Sequence, residues 1–371
     1  MRADTIARLE KRVRPLLTRL APDYAAAIYS RGRREFLKKL VDETSEVVKV
    51  PEHLATTCWG LNFRSPLFNG AGMFKNGKGY RLSQFQGAGA FLGGTSLWNK
   101  HDGNTKLDIK NPFAPYPHSK VASNDLGLPN DGDLAIALRY EKMHAVEGFP
   151  KGHSVMESPQ IKDPREKLDR LVQGMLLYVE AGIDLLESNY SCPNTGEEQP
   201  KDTELYGKLQ RTAQEFRSRS PRYVPLIAKM SNDTPIEQVP EIMGMLFETG
   251  WDGVNFGNSS KQYDKHREHI HPKERALYDF FCDEFGGGVT GAVLKGPSLM
   301  LATRAVQCIE EQKPEQEFHV IRTGGIENAD DLVLSNHAGI SLNQWVTGYF
   351  EAFSHDGHNL YQEIYKKIKI K

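Results

Sequence analysis

Eight short apolar runs recur along the chain after about residue 60, each bounded by Gly, Asn or charged residues: 66–71, 89–95, 153–157, 183–188, 224–230, 253–257, 319–323 and 341–346. Runs of this length and punctuation predict buried strands. Amphipathic stretches lie between them. Residues 164–181 carry Leu168, Leu171, Val172, Met175, Leu176 and Val179 at helical intervals with charges opposite, and 236–247 and 329–337 behave similarly. Strands that alternate with helical crossovers form parallel sheets, and eight such units predict an α/β fold of the (β/α)8 TIM barrel type.

Two crossovers are too long for one helix. Residues 96–152 make a long insertion in the second crossover, dense in turn signals such as Asn111-Pro112 and Pro129-Asn130-Asp131-Gly132. Residues 258–318 make another in the sixth, with Gly286-Gly287-Gly288. Long excursions in a compact domain are usually functional or disordered, and the Pro, aromatic and apolar content of the first predicts an ordered cover over the barrel mouth. Residues 1–55 form an N-terminal helical extension and 56–371 the barrel. Within 1–40, Leu9, Val13, Leu16 and Leu20 are helically spaced, and Arg31, Arg33, Arg34, Lys38 and Lys39 follow. Such a segment either docks on its own domain with a solvated basic face or rests on an anionic membrane surface as a peripheral contact.

Bulk properties narrow the function. Lys plus Arg number 47 against 48 Asp plus Glu, so nothing attracts a polyanion and no nucleic-acid partner is expected. The four cysteines, Cys58, Cys192, Cys282 and Cys308, form no CxxC pair. Neither a zinc site nor a disulfide framework is indicated, and a reducing, cytoplasmic setting is expected. There is no secretory signal pattern and no apolar run of bilayer-spanning length. The absence of GxGxxG and Walker patterns counts against a dinucleotide fold and a P-loop enzyme.

The chemistry concentrates in Asn189-Tyr190-Ser191-Cys192-Pro193-Asn194, which follows an apolar segment and so falls at a strand's C-terminal end, the active end of such barrels. Asn189 and Asn194 offer directional donors and acceptors to a planar polar ligand. Cys192 offers a thiolate general base. No His or Asp stands near it in sequence to complete a dyad, so a nucleophilic hydrolase fits poorly. Asn124, in the first insertion, and Asn258-Ser259, after the sixth strand, are expected at the same mouth, although any one Asn is more simply a local turn residue. Lys75 and Lys229 follow or end predicted strands. Lys229 lies inside Leu226-Ile227-Ala228-Lys229-Met230, where a cation needs an acceptor. Gly324-Gly325 after strand seven and Thr347-Gly348 after strand eight match the recurrent phosphate site of barrels, with Gly291 able to approach from the sixth crossover.

These motifs resemble the dihydroorotate dehydrogenase family. The resemblance runs from about Trp59 to Gly348 and includes Ala71-Gly72-Met73-Phe74-Lys75-Asn76-Gly77, Asn124-Asp125-Leu126-Gly127-Leu128-Pro129-Asn130, the Cys192 run and Gly287-Gly288-Val289-Thr290-Gly291. It implies a barrel with FMN at its mouth that oxidises dihydroorotate to orotate. It implies substrate contacts from Lys75, Asn124, Asn189, Asn194, Asn258 and Ser259. Cys192 would take the C5 proton while hydride passes from C6 to flavin N5. Gly72, Lys229, Gly291, Gly324, Gly325, Thr347 and Gly348 would hold the cofactor.

The subclass is mixed. Cys192 and Gly291-Ala292-Val293-Leu294-Lys295 are similar to soluble members, whereas Lys75 and the N-terminal extension are similar to quinone-linked ones. The acceptor is therefore open between quinone, fumarate and NAD, and a homodimer is an option the family suggests. Phe74, Glu187-Ser188 and Arg322 depart from the family pattern, so a different pyrimidine or activated alkene is the alternative substrate, and a non-catalytic flavin sensor the alternative of another class.

Overall fold

The computed structural model describes residues 1–44, 46–191 and 202–368. Its centre is one parallel eight-stranded sheet: β1 (Leu67–Asn69), β2 (Phe91–Ser96), β3 (Lys151–Val155), β4 (Leu185–Asn189), β5 (Leu226–Ser231), β6 (Gly253–Asn258), β7 (His319–Thr323) and β8 (Leu342–Trp345). Strands pair in the order β1-β8-β7-β6-β5-β4-β3-β2. The two ends of that series meet through backbone bonds, Gly89 N–H to the Leu67 carbonyl at 2.8 Å and Gly72 N–H to the Gly94 carbonyl at 2.7 Å, and through a side chain. Asn69 Nδ2 donates to the Leu92 carbonyl at 2.6 Å, and Leu92 N–H donates back to Asn69 Oδ1 at 3.3 Å. A carboxamide carries one donor edge and one acceptor edge, so it stands in for the missing peptide group. One parallel bridge, Phe74 to Gly93, adds to the join.

All eight predicted strands are present. The fourth is shifted: it runs to Asn189, so that residue ends the strand instead of lying in the loop beyond it. Parallel pairing of Asn189 with Lys229 fixes it there.

Helices cover the barrel. α1 (Ala3–Leu17) and α2 (Pro22–Leu40) precede it. α3 (Pro164–Glu180) begins at an Asp163 cap that accepts from Glu166 N–H at 2.7 Å, with Pro164 in the first turn where its missing N–H costs nothing. It buries Leu171, Val172, Met175 and Val179, each contributing on the order of 1.5–3 kcal/mol. The stretch 236–247 divides into a short 3-10 turn, Ile236–Gln238, and α4 (Val239–Glu248), with Pro240 in the first turn of α4. α5 (Arg275–Glu284), α6 (Lys295–Gln312), α7 (Ala329–His337) and α8 (Thr347–Asp356) follow.

The two long insertions fold together. Phe113–Tyr116 and Val121–Asn124 form an antiparallel pair, and Gly288–Gly291 from the other insertion joins as a third strand. α2 and α5 pack on this small sheet. Ala25, Ala26, Tyr116, Val121, Leu277, Tyr278, Phe281 and Val289 make a core of their own, apart from the barrel's. This is the ordered cover that the composition predicts.

α1 docks on the domain by small and charged residues. Ala3 and Ala7 are buried, and Lys11 and Arg14 pair with Glu351 of α8 at 2.7 and 3.0 Å. The apolar row faces away: Leu9 is 46% exposed, Val13 46%, Leu16 65% and Leu20 43%. Among the described residues no helix is long and apolar enough to cross a membrane.

Candidate active site

A cavity of about 400 Å³ lies between the barrel mouth, the cover sheet and the helix pair α1–α2. That size suits a small ligand or cofactor. Lys75, Asn124, Asn189, Lys229, Asn258, Ser259, Gly72, Gly291, Gly324, Gly325, Thr347 and Gly348 all line it. The barrel thus brings together every predicted site residue within the described part of the chain. Cys192 and Asn194 lie outside the described residues; the chain up to Ser191 leads to them.

Asn189 and Asn258 end β4 and β6 and are almost fully buried. Asn258 Nδ2 donates to Asn189 Oδ1 at 2.8 Å and to Ser191 Oγ at 2.7 Å. Asn189 Oδ1 also accepts from Ser191 N–H at 3.2 Å, which turns the chain at the strand end. Asn124 closes the mouth from the cover, its Nδ2 donating to the Gly288 carbonyl at 3.0 Å. Asn232 supports Asn258 from behind, with Nδ2 donating to the Asn258 and Thr323 carbonyls at 2.8 and 3.2 Å.

Lys229 has the acceptor that its setting demands. Its Nζ lies 3.3 Å from Glu187 Oε1, and both side chains are buried. Glu187 Oε2 accepts from Asn255 Nδ2 at 2.8 Å and Gln344 Nε2 at 3.1 Å. Thr323 Oγ1 donates to Gln344 Oε1 at 3.0 Å. A polar layer therefore crosses the barrel below the mouth. Of its members, sequence reasoning singled out Lys229 and Glu187 and missed Asn255, Gln344 and Thr323. The available signal was an amide inside an apolar strand run, which needs partners when buried.

The glycine cradle is sterically fixed. A Cβ on Gly348 would lie 2.0 Å from the Ile326 carbonyl oxygen, one on Gly325 would lie 2.4 Å from Lys295 Cα, and one on Gly291 would lie 2.3 Å from the Lys120 carbonyl oxygen. Gly324 and Gly325 have φ of 130° and 68°, which favour glycine. Thr347 and Gly348 open the ten-residue helix α8, whose N-terminal amides and dipole favour an anion. Lys295 is already engaged, with Nζ 2.8 Å from Glu327 Oε2 and 3.2 Å from Asp331 Oδ1. The cradle thus offers backbone amides to a phosphate, which fits the phosphate end of FMN.

Three of the four departures face away from the cavity. Phe74 is buried and stacks on Phe91 with ring centroids 6.0 Å apart. Ser188 is buried on the opposite side of β4 from Glu187 and Asn189, as strand alternation requires. Arg322 neither faces the cradle nor crowds it. Its guanidinium donates to Ser298 Oγ, Ser335 Oγ and the Asp331 and Lys295 carbonyls at 3.0 to 3.2 Å. Ser298 Oγ in turn donates to the Gly324 carbonyl at 2.7 Å, so Arg322 braces the cradle from outside.

The far end of the cavity runs between α1 and α2, past Ile6, Leu17, Ile28 and Phe36, with Tyr29 and Arg33 also on the wall. Arg33 belongs to a basic run that the sequence places on a solvated face. It instead turns inward, donating to the Gly72 carbonyl at 3.4 Å. Burial, with Arg34 beside it, lowers its pKa to about 10, which leaves it charged at neutral pH. Burial raises the Tyr29 hydroxyl, and the Glu10 carboxylate raises it further.

A family model described as dihydroorotate dehydrogenase matches residues 53–370. The chain is 28% identical over 305 residues to a dihydroorotate dehydrogenase (quinone) of Arthrobacter sp. (strain FB24), covering 80% of each chain. It is 27% identical over 303 residues to that of Xylella fastidiosa (strain 9a5c), again covering 80% of each. Among solved structures, ligand-free DHODH from Eimeria tenella superposes with a TM-score of 0.75 at 18% identity, over 92% of this chain and 94% of that one. The same organism's enzyme in complex with ferulenol gives 0.72 at 19%, over 94% and 89%. At that identity the likeness is one of fold.

Proposed function

This chain belongs to the dihydroorotate dehydrogenase family, and we propose that it oxidises dihydroorotate to orotate with Cys192 as the base and a quinone as the electron acceptor. Membership makes it an FMN-dependent oxidoreductase of the dihydroorotate–orotate interconversion. The observation that supports the specific reading is the convergence of the Asn189–Asn258 clasp, Asn124, Lys75, Lys229 and the glycine cradle on one cavity.

FMN, when bound, supplies a two-electron acceptor for the C6 hydride. The chain does the rest. Asn124, Asn189, Asn194, Asn258 and Ser259 hold the pyrimidine ring and carboxylate by directional hydrogen bonds. Lys75 and Lys229 supply positive charge at the mouth. Gly72 and Gly291 let the backbone approach closely, and Gly324, Gly325, Thr347 and Gly348 take the phosphate. Cys192 removes the C5 proton as the thiolate, and the cover keeps water from the reacting carbons.

The α1–α2 end of the cavity supports a quinone over fumarate or NAD, because Ile6, Leu17, Ile28 and Phe36, set beside the polar Glu10, Arg14 and Arg33, suit a polar ring with an apolar tail. The relatives carry the quinone name. The outward Leu9, Val13, Leu16 and Leu20 with the basic residues of α2 would place that end close to an anionic bilayer, as a peripheral contact of the 1–55 extension. A different pyrimidine as substrate loses support, since Phe74, Ser188 and Arg322 do not reach the cavity.

The test is anaerobic absorbance of the purified protein during addition of dihydroorotate, followed by a soluble quinone, fumarate or NAD. Bleaching by dihydroorotate and recovery with quinone alone is the expected result. A flavin that stays oxidised would overturn the substrate. Recovery with fumarate or NAD, but not quinone, would overturn the acceptor.

A further inference from the structure

We propose that Glu187 sets the reduction potential of the bound FMN by cancelling part of the Lys229 charge below the barrel mouth. The inference rests on the FMN reading of the cavity. Lys229 lines the cavity wall, and its Nζ has Glu187 Oε1 at 3.3 Å. Glu187 is 1% exposed and lies on the inward face of β4, two residues before Asn189. That spacing puts its Cα roughly 7 Å below the Asn189 Cα.

Three donor groups face the Glu187 carboxyl group. Asn255 and Gln344 both present N–H groups to Oε2, and Lys229 presents its ammonium to Oε1. Each of these contacts is one that a carboxylate accepts. Gln344 Oε1 accepts from Thr323 Oγ1 at 3.0 Å and from Asn255 Nδ2 at 3.3 Å, which ties the two amides together. The four side chains thus form one contiguous polar cluster below the mouth.

A buried ion pair adds little to stability relative to an apolar pair of the same volume. Its effect on a neighbouring redox group is larger, because charges interact strongly where water is excluded. Two electrons and one proton taken up by the flavin ring leave one added negative charge. Lys229 alone would favour that state. Glu187, buried behind Lys229, opposes it, so the pair keeps the cofactor weakly oxidising and its reduced form ready to release electrons.

Glu187→Gln keeps the volume and an oxygen for Asn255 and Gln344 while removing the charge. The midpoint potential, measured at neutral pH against a reference dye with dithionite as reductant, should rise. The expected shift is at least about tenfold in the equilibrium between oxidised and reduced FMN, or about 30 mV for two electrons. By linkage, the variant should bind reduced FMN tighter than oxidised FMN by the same added factor. Glu187→Asp keeps the charge and should keep the potential near that of the parent. Glu187→Met is the second neutral variant, should the amide fail to fold.

A purely structural pair would weaken FMN binding equally in both oxidation states and leave the potential where it was. Intact FMN binding with an unchanged or lowered potential in the neutral variants therefore overturns the inference alone. Failure of the parent protein to bind FMN at all overturns the cofactor reading and the inference with it.

Discussion

Asn258 and Asn189, separated by β5 in the sheet, are joined by a 2.8 Å hydrogen bond between their side chains, Nδ2 to Oδ1, at the barrel mouth. The same Nδ2 reaches Ser191 Oγ, so both amide protons of Asn258 are used inside the protein. Substrate must either accept this clasp as it stands, using Asn258 Oδ1, or exchange one of its bonds. In both cases Asn258→Ala removes a positioned amide from a buried site. Orotate affinity should fall by about 1–3 kcal/mol, read by titrating the flavin spectrum, with FMN content unchanged. Unaltered affinity would place Asn258 outside the substrate's reach.

Cys192 follows Ser191, whose N–H and Oγ are both tied to the clasp. Cys192→Ala should bind orotate but bleach slowly with dihydroorotate, by roughly 10²–10⁴ in rate. Stopped-flow absorbance under anaerobic conditions measures it. Reduction at the parental rate would remove Cys192 from the role of base.

The barrel was legible because each strand is a short run anchored by apolar residues and bounded by Gly, Asn or charged residues, and α3 and α7 because their apolar residues recur at helical spacing. The site's cast was legible from polar residues at strand ends. What the sequence concealed follows from the two-residue alternation of strands. Glu187, Ser188 and Asn189 are adjacent in sequence, yet Ser188 faces the helices and its neighbours face the barrel. Arg322 and Thr323 divide the same way, so an arginine beside a phosphate cradle turns out to brace it from behind through Ser298. The outward face of α1 was concealed for another reason: helical spacing identifies an apolar face but not what covers it. Alanines and the Lys11 and Arg14 pairs with Glu351 hold the docked face instead.

Gly348 tests the cradle. A methyl group there would meet the Ile326 carbonyl oxygen at 2.0 Å, and backbone on that side cannot give way cheaply. Gly348→Ala should displace the first turn of α8 and lose most bound FMN, measured as the ratio of flavin to protein absorbance after gel filtration. Full retention would show that the start of α8 is not needed for cofactor binding.

Behind β2 and β3, Asp133 accepts from Ser96 Oγ at 2.5 Å and Tyr178 Oη at 2.9 Å, and Ser96 also meets His153 Nε2 at 2.8 Å. Burial raises the Asp133 pKa from 3.8 to about 6, although the Ser96 and Tyr178 bonds oppose it. Burial lowers that of His153 from 6.5 to about 3. A raised acid contributes stability below its unfolded value and loses it as pH climbs through the folded value. Asp133 therefore costs stability between about pH 4 and 6. His153 acts in the opposite sense, its contribution fading as pH falls from 6.5 toward 3. Asp133→Asn leaves His153 in place, so the difference in Tm, variant minus parent, should grow from pH 4 to 6 and then level off. A difference that is flat across that window would mean that Asp133 does not titrate there.

The exposed row on α1 gives the last prediction. Leu9, Val13 and Leu16 stand out from a helix whose other side is fixed to α8, and Leu20 continues the row beyond its end. Exposing several large apolar side chains on one face is unfavourable in water unless something covers them. One end of the cavity is walled by this helix and α2, so a bilayer that covers the row would lie close to that end. Leu16, 65% exposed, can be changed without touching the barrel. Leu16→Glu should reduce sedimentation with vesicles containing anionic lipid by several-fold, since it removes apolar burial and adds a repelled charge. Reduction of FMN by dihydroorotate should be unchanged. Turnover with a long-tailed quinone presented in those vesicles should fall, and turnover with a water-soluble quinone should not. Equal loss with both quinones would place Leu16 in the cavity's own structure, and no loss with either would leave the row without a role in delivering the acceptor.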